Sequence, residues 1–390
     1  MKPSKRSTTC GTVSLKPFRW IMAALFLIPS FGFSENAYWL QYGRKPVYVK
    51  QIDRRTNEVQ VLKFVHFKGN RLFLELEVEG GGTAEISRPL SESMIKTLDL
   101  DIKEMEEANK MIFKEHYLGA AELLRPKVYP LIRFHRIPEM FSELHTPIRA
   151  LISSLISAKN FSEAEDLLGR ITLNQVDQKY SLLAIDLLNA YLARQDYEGA
   201  TRVVNKLPVE DSYAKNVDYI IQVASILRSA GKHAAVIPLY RRVEKHVSGE
   251  VNAEIRMWLA YSLILIEQVD EAASIIEELQ EPAPEEELFS LYKLLEGSRE
   301  HYRGNYDRAL DVLTRGFVRA QTAYTWVPEM LYLIGDCYAK NEHPTAARNV
   351  WTEVIVLYPD SLWAVNTAKS LEQLPPPSET EDTTTEASPI

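Results

Sequence analysis

The chain has 390 residues, 46% of them apolar and 25% charged, with a formal charge of −8. That balance suits a folded chain of two or three domains, or one long repeat array. It excludes a general nucleic-acid binder, because no basic face offsets the acidic excess.

Residues 1–34 read as an export signal. Lys2, Lys5, Arg6, Lys16 and Arg19 form a basic start without an acid. The apolar run over 20–33 is shorter than the roughly 20 residues of a comfortable membrane span. Gly32 and Ser34 supply small residues for a cut before Glu35. The expected protein is exported, periplasmic or secreted; the alternative is a chain anchored by an uncleaved N-terminal segment. Cleavage would leave 40 basic and 53 acidic residues, a formal charge of −13. It would also remove Cys10, leaving Cys337 without an intrachain disulfide partner.

Residues 35–98 change character. The stretches 46–52 and 59–67 are strand-like, and Lys68-Gly69-Asn70 is a turn signal. Leu72, Leu74, Leu76 and Val78 then alternate with Phe73, Glu75 and Glu77, the pattern of a half-buried strand. After Gly80-Gly81-Gly82 comes a last short strand. A small meander or barrel of four or five strands fits, packed on the first helices as a cap.

Residues 99–374 have helical periodicity throughout, in a near-constant register. Ala120, Ala164, Ala200, Val236, Ala272, Ala309 and Ala347 are anchors spaced 44, 36, 36, 36, 37 and 38 apart. Four residues after each lies an apolar residue, from Leu124 to Trp351. Twelve before lie Ala108, Ile152, Leu188, Ala224, Ala260, Gly297 and Gly335, five of them small. Small residues in both halves predict two antiparallel helices that approach closely, with turns at Gly231 and Gly304. Seven such pairs in register mean a repeat array. The long first interval holds Pro126, Pro130 and Pro138 and predicts an irregular insertion. A closing helix is expected over 362–374, capped by Asp360 or Ser361 and presenting Trp363, Ala364, Ala368 and Leu371. Residues 375–390 read as a disordered acidic tail.

These residues resemble the tetratricopeptide repeat, most closely in the last copy with Gly335, Tyr338, Ala347, Trp351 and Pro359. The resemblance implies a mainly α fold, an α-solenoid of about seven such pairs behind the small β region. It implies binding rather than catalysis. The ending from Tyr358 to Val365 is similar to exported envelope repeat proteins that accompany outer-membrane assembly or the Tol–Pal system. In this family the residue eleven before the anchor points into the concave groove. Here these are Asn109, Ser153, Asn189, Ser225, Tyr261, Ser298 and Asp336. Arg228, Tyr302 and Tyr332 are neighbouring groove candidates. Met105 and Ile185 stand where the family's carboxylate-clamping version has Lys or Arg, so an apolar or amphipathic partner segment fits better than that clamp.

No metalloprotease, nucleophile-elbow, phosphate-loop or Cys-x-x-Cys motif occurs, and no two histidines lie three or four apart. The expectation is a non-enzymatic scaffold without cofactor or metal, holding a peptide or helix of an envelope protein in its groove. The alternative is a spacer whose β region contacts a protein or cell-wall polymer.

Overall fold

The computed structural model describes residues 37–375, apart from 53–55, 57, 79–80 and 211–212. The expected export signal, and all of the expected tail but Pro375, lie outside the described residues. No described helix is long and apolar enough to cross a membrane.

Five strands form one antiparallel sheet: β1 (Tyr48–Ile52), β2 (Val59–Lys68), β3 (Arg71–Val78), β4 (Gly82–Pro89) and β5 (Leu98–Asp99), in the order β4-β3-β2-β1-β5. The β2–β3 turn places Gly69 and Asn70 both at positive φ, +58° and +57°. That is the mirror-image turn whose twist matches a hairpin. A four-residue helix α1 (Glu92–Ile95) carries the chain to β5 on the far edge, beside β1. The buried face holds Val49, Leu62, Phe64, Leu72 and Leu74.

Seven helix pairs follow: α2 (Glu104–Phe113) with α3 (Tyr117–Leu131), α4 (Ser142–Ser157) with α5 (Phe161–Gly169), α6 (Gln178–Ala193) with α7 (Tyr197–Val204), α8 (Ala214–Ser229) with α9 (His233–Val243), α10 (Gly249–Leu265) with α11 (Val269–Glu278), α12 (Glu287–Tyr302) with α13 (Tyr306–Phe317), and α14 (Val327–Lys340) with α15 (Pro344–Leu357). All seven anchors have no exposed surface. Each second helix begins three residues before its anchor.

The turn within each pair is the same device seven times. A residue at positive φ stands two before each second helix: Glu115, Lys159, Gln195, Gly231, Glu267, Gly304 and Glu342. The next amide donates to the carbonyl five residues back, as from Asn160 to Leu155 and from Asn305 to Glu300, both at 2.9 Å. This is the helix-ending motif that closes a left-handed cap. Only two of the seven caps are glycine, so five turns hold an L-residue in a conformation costing roughly 1–2 kcal/mol.

The small residues do what their spacing predicts. A Cβ on Gly297 would lie 2.4 Å from Leu313 Cγ, and one on Gly335 would lie 2.3 Å from Trp351 Nε1. The approach is to the side chain four residues past the anchor, which the missing Cβ lets sink between the helices. Trp351 is fixed there by an Nε1–H bond to the Tyr332 carbonyl (3.0 Å).

The insertion in the first interval lengthens α3, which contains Pro126 and Pro130, and adds a short 3-10 turn at Ile132–Phe134. This extra length holds the sheet. Phe64 meets Phe134 and Phe141 edge-on. The Trp39–Gly43 turn and Tyr38 gather around Tyr129. Beneath them Arg125 makes two 2.8 Å bonds to Glu163, which also accepts from Tyr129 Oη and Asn160 Nδ2. One hydrophobic core runs from Val47 to Cys337 without a break between sheet and helices.

At the far end, α16 (Leu362–Gln373) closes the array, and Ser361 Oγ accepts from the Ala364 amide. Trp363 packs on Tyr332, and Ala364 and Thr367 are buried. Ala368, expected to face the last repeat, is exposed; the helix turns Thr367 inward instead.

Two substitutions read these constraints with opposite signs. Gln195→Gly relieves a left-handed L-residue and raises unfolding stability by about 0.5–1 kcal/mol, after the extra freedom of the unfolded chain is subtracted. Gly335→Ala gains helix propensity but drives a methyl into a pinned indole, lowering stability by about 1–3 kcal/mol. Urea unfolding followed by far-UV circular dichroism measures both; equal signs would contradict the packing described.

Candidate partner-binding groove

First helices of neighbouring pairs pack together, α4 with α6, α10 with α12 and α12 with α14, and α14 packs on the closing helix α16. Every residue expected in the groove lies on this layer. Their surroundings differ from one end to the other. Asn109 on α2, Ser153 on α4 and Asn189 on α6 are exposed, and Ser225 on α8 is half-buried. Tyr261 on α10 and Ser298 on α12 are buried, at 2% and 6% exposure.

Aromatic side chains gather in the C-terminal half of the layer. Trp258 on α10 meets Trp326, at the start of α14, edge-on across 5.9 Å. Their helices are two repeats apart. The intervening α12 offers only Ser290 at this point, whose Oγ accepts from Trp326 Nε1 (3.1 Å). Tyr324 stacks on the other side of Trp326 at 4.7 Å.

On this aromatic floor sits Arg228, from the last turn of α8. Its guanidinium carbon lies 3.3 Å from the centroid of the Trp258 ring. One terminal nitrogen reaches Ser225 Oγ at 3.5 Å, the outer limit of a hydrogen bond. Its Nε is buried with no hydrogen-bond partner. The adjoining rings continue the pattern. Trp258 meets Tyr261 edge-on at 6.0 Å, and Tyr261 meets His233 likewise. The Tyr261 hydroxyl and His233 Nδ1 are also buried without partners. Burial, aided by the Arg228 charge, pulls His233 down to about 4, so its imidazole is neutral at neutral pH. Burial pushes the Glu329 carboxyl on α14 up to about 8, while the Arg228 charge pulls it the other way.

Ser225, Arg228 and Tyr261 thus come together around Trp258. The remaining expected residues are used otherwise. Tyr332 stacks on Trp351 and shares a 3.4 Å hydrogen bond with Ser370 of the closing helix. Asp336 pairs with His301 Nε2 at 2.6 Å. Ser298 Oγ is buried and unpartnered, and Tyr302 is exposed. Spacing from the anchors did not reach Trp258 or Glu329. The available signal was composition: a tryptophan and an acid on first helices otherwise rich in Leu and Ile.

A cavity of about 400 Å³ lies apart from this layer, where the connections after α5 and α7 meet. Lys206, Pro208 and Arg242 line it, and Arg242 donates to the Val204 and Asn205 carbonyls. It contains none of the expected groove residues. Among the described residues, no three His, Cys, Asp or Glu side chains form a group able to hold a metal ion.

Residues 329–361 match the family model described as Tetratricopeptide repeat. The chain therefore carries this repeat at its C-terminal end, and the six pairs before it share its arrangement. No curated protein matches the sequence. Among solved structures, the apo form of RapI is 12% identical, over 71% of this chain and 82% of that one, with a TM-score of 0.37. YrrB, described as a TPR protein with an unusual peptide-binding site, is 15% identical over 57% of this chain and 91% of its own, with a TM-score of 0.27. The P58(IPK) TPR domain is 15% identical over 70% and 90%, with a TM-score of 0.22. Values this low say nothing about ligands or partners.

Glu329 gives the groove a pH signature. Its folded value lies above its ordinary 4.5, so the folded chain holds a proton that the unfolded chain releases. This stability is present in full below the ordinary value and is lost as pH rises toward 8. His233 acts oppositely, losing stability as pH falls from 6.5 toward 4. Glu329→Gln removes only the first effect. Its stability relative to the parent therefore climbs between pH 5 and 8, by at most about 1.4 kcal/mol per unit, and levels off above. Urea unfolding of both proteins across this range checks it; a flat difference would place the carboxyl in water.

Proposed function

We propose that the chain is a non-enzymatic interaction scaffold that holds a peptide or helix of another protein against its first-helix layer. The observation that carries this reading is the meeting of Ser225, Arg228 and Tyr261 on the inner face, with buried polar atoms that the chain itself leaves unpaired. Such groups are normally satisfied in a finished interior. Repeat arrays bind along the surface formed by successive repeats. An amphipathic segment suits the surface, since the first helices that carry Ser225 and Ser298 also expose the apolar side chains of Ile226 and Tyr302. The non-enzymatic part rests on the missing catalytic motifs. The cell-envelope setting, whether periplasmic, secreted or membrane-anchored, rests on residues 1–34 and the ending from Tyr358 to Val365.

One observation favours the second reading, in which the sheet makes the specific contact. Its outer face exposes Tyr48, Val59 and Val61, each more than half accessible. Such a strip could take a protein or polymer surface while the array serves as a spacer.

Ser225→Arg separates the two. It places a long cation beside Arg228 at a half-buried position and leaves the far-UV helical signal unchanged. The expected outcome is loss of crosslinked partner capture from intact cells, with capture retained by Val61→Glu on the sheet. The reverse pattern moves the contact to the sheet.

A further inference from the structure

The first-helix layer is accessible over only part of its length. From Ile255 to Ile264 on α10 and from Leu288 to Glu300 on α12 no residue is exposed. An open stretch lies before them, on α6 and α8. Leu182, Asp186 and Asn189 fall at helical spacing on one face of α6, and all three are exposed. On α8 the same three places, 36 residues on, hold Asp218, Gln222 and Ser225. Leu182 is 57% exposed and Ile226, next to Ser225, 44%. Glu254 on α10 continues the Asp218 position one repeat further; it is exposed and accepts from Trp258 Nε1 at 3.2 Å. The carboxylates on this face lack counter-charges. Among the described residues, Asp186 and Asp218 make no ion pair. Arg149 on α4 is committed to Glu139 through bonds of 2.6 and 2.7 Å, and Lys179 reaches the same carboxylate. Lys215, at the exposed start of α8, pairs with neither aspartate. Burial raises the Asp186 carboxyl above its ordinary value. A shielded carboxylate without a counter-charge gains more from an arriving cation than one in open water.

We propose that the open face of α6 and α8 takes a basic amphipathic segment of the partner protein, with lysine or arginine side chains on Asp186 and Asp218 and apolar side chains on Leu182 and Ile226. This deepens the groove reading and rests on it: it names the charge of the segment that the groove holds. The occupant follows from complementarity. Exposed apolar and unpaired acidic groups share one helix face, so a segment that is both apolar and cationic satisfies both, whereas an acidic segment meets repulsion. The formal charge of −8 on the whole chain adds attraction of the same sign at longer range.

The test titrates the full chain into fluorescein-labelled peptides and follows anisotropy at one fixed salt concentration. The probe is a short peptide of leucine and lysine in amphipathic helical order. Its counterparts carry glutamine or glutamate in place of every lysine. The expected result is saturable binding of the lysine peptide, and binding at least about tenfold weaker for the other two. Asp186→Asn and Asp218→Asn keep the side-chain shape at exposed positions, so folding is unaffected, and each weakens the lysine peptide about fivefold, as for one lost charged contact. Glu198→Gln removes an equal charge from an exposed position on α7 and leaves binding unchanged. Absence of saturation by the lysine peptide overturns the proposal, as does equal binding of the glutamine peptide. Equal weakening by Glu198→Gln and Asp186→Asn also overturns it, because the attraction is then general and not seated on this face. If the proposal fails in one of these ways while Ser225→Arg still abolishes capture from cells, the groove stands with a partner of different charge. If capture is indifferent to Ser225→Arg, the groove reading falls and the basic segment falls with it.

Discussion

Between the helices of every pair, the backbone reverses through one left-handed residue and an amide bonded to the carbonyl five residues back. This turn sets the position of everything after it. The second helix starts two residues on, its anchor follows three later, and the side chain four beyond that drops between the helices. A turn with a different residue count would rotate the second helix by about 100° per residue and present a polar side chain to the first. The sparing use of glycine follows from the same geometry. The tertiary packing of each pair over-determines the turn, so an L-residue can be held there against its own preference.

The array needs different solutions at its two ends, because a repeat without a neighbour exposes an apolar face. At the C-terminal end a single helix suffices, with Tyr332, Trp351 and Trp363 gathered beneath it. The N-terminal end is closed by a sheet, and a sheet does not continue the helical register. The lengthened α3 supplies the adaptor. Phe134 reaches the sheet, Tyr129 reaches the N-terminal aromatic turn, and Arg125 ties both to the next pair through Glu163. That carboxylate takes four hydrogen bonds from three residues in the interior. Losing one partner of such a network leaves an uncompensated buried charge, which is why it is built complete.

The architecture was legible because its signal is repeated. A small residue in a helix means little once, but six alanines among seven anchors in register state that two helices approach closely, and all seven anchors are buried. The strands were legible from alternation in the stretch around Leu72 and Leu74. What escaped was whatever depends on curvature. Residues eleven before each anchor are equivalent in sequence, yet Asn189 is exposed while Tyr261 is enclosed. Their difference comes from the aromatic neighbours of Tyr261, Trp258 and His233. Trp258 in turn meets Trp326 from two repeats on, and a pattern confined to one repeat does not contain that contact. The five non-glycine turns escaped for a related reason, since local preference argues against them and only packing requires them.

The curvature also bears on binding. Where the first-helix layer is open, its Asn and Ser side chains are already hydrated, and a partner gains little by replacing water. Where it tightens, the aromatic column from Tyr324 through Trp326 and Trp258 shuts water away from the polar atoms beside it. Those atoms have lost their solvent during folding, so the cost of stripping them is met before any partner arrives. Enclosure and polar satisfaction therefore pull in opposite directions at this one place. The same enclosure that holds the Glu329 carboxyl against ionisation leaves Arg228 Nε and the Tyr261 hydroxyl without a hydrogen-bond partner.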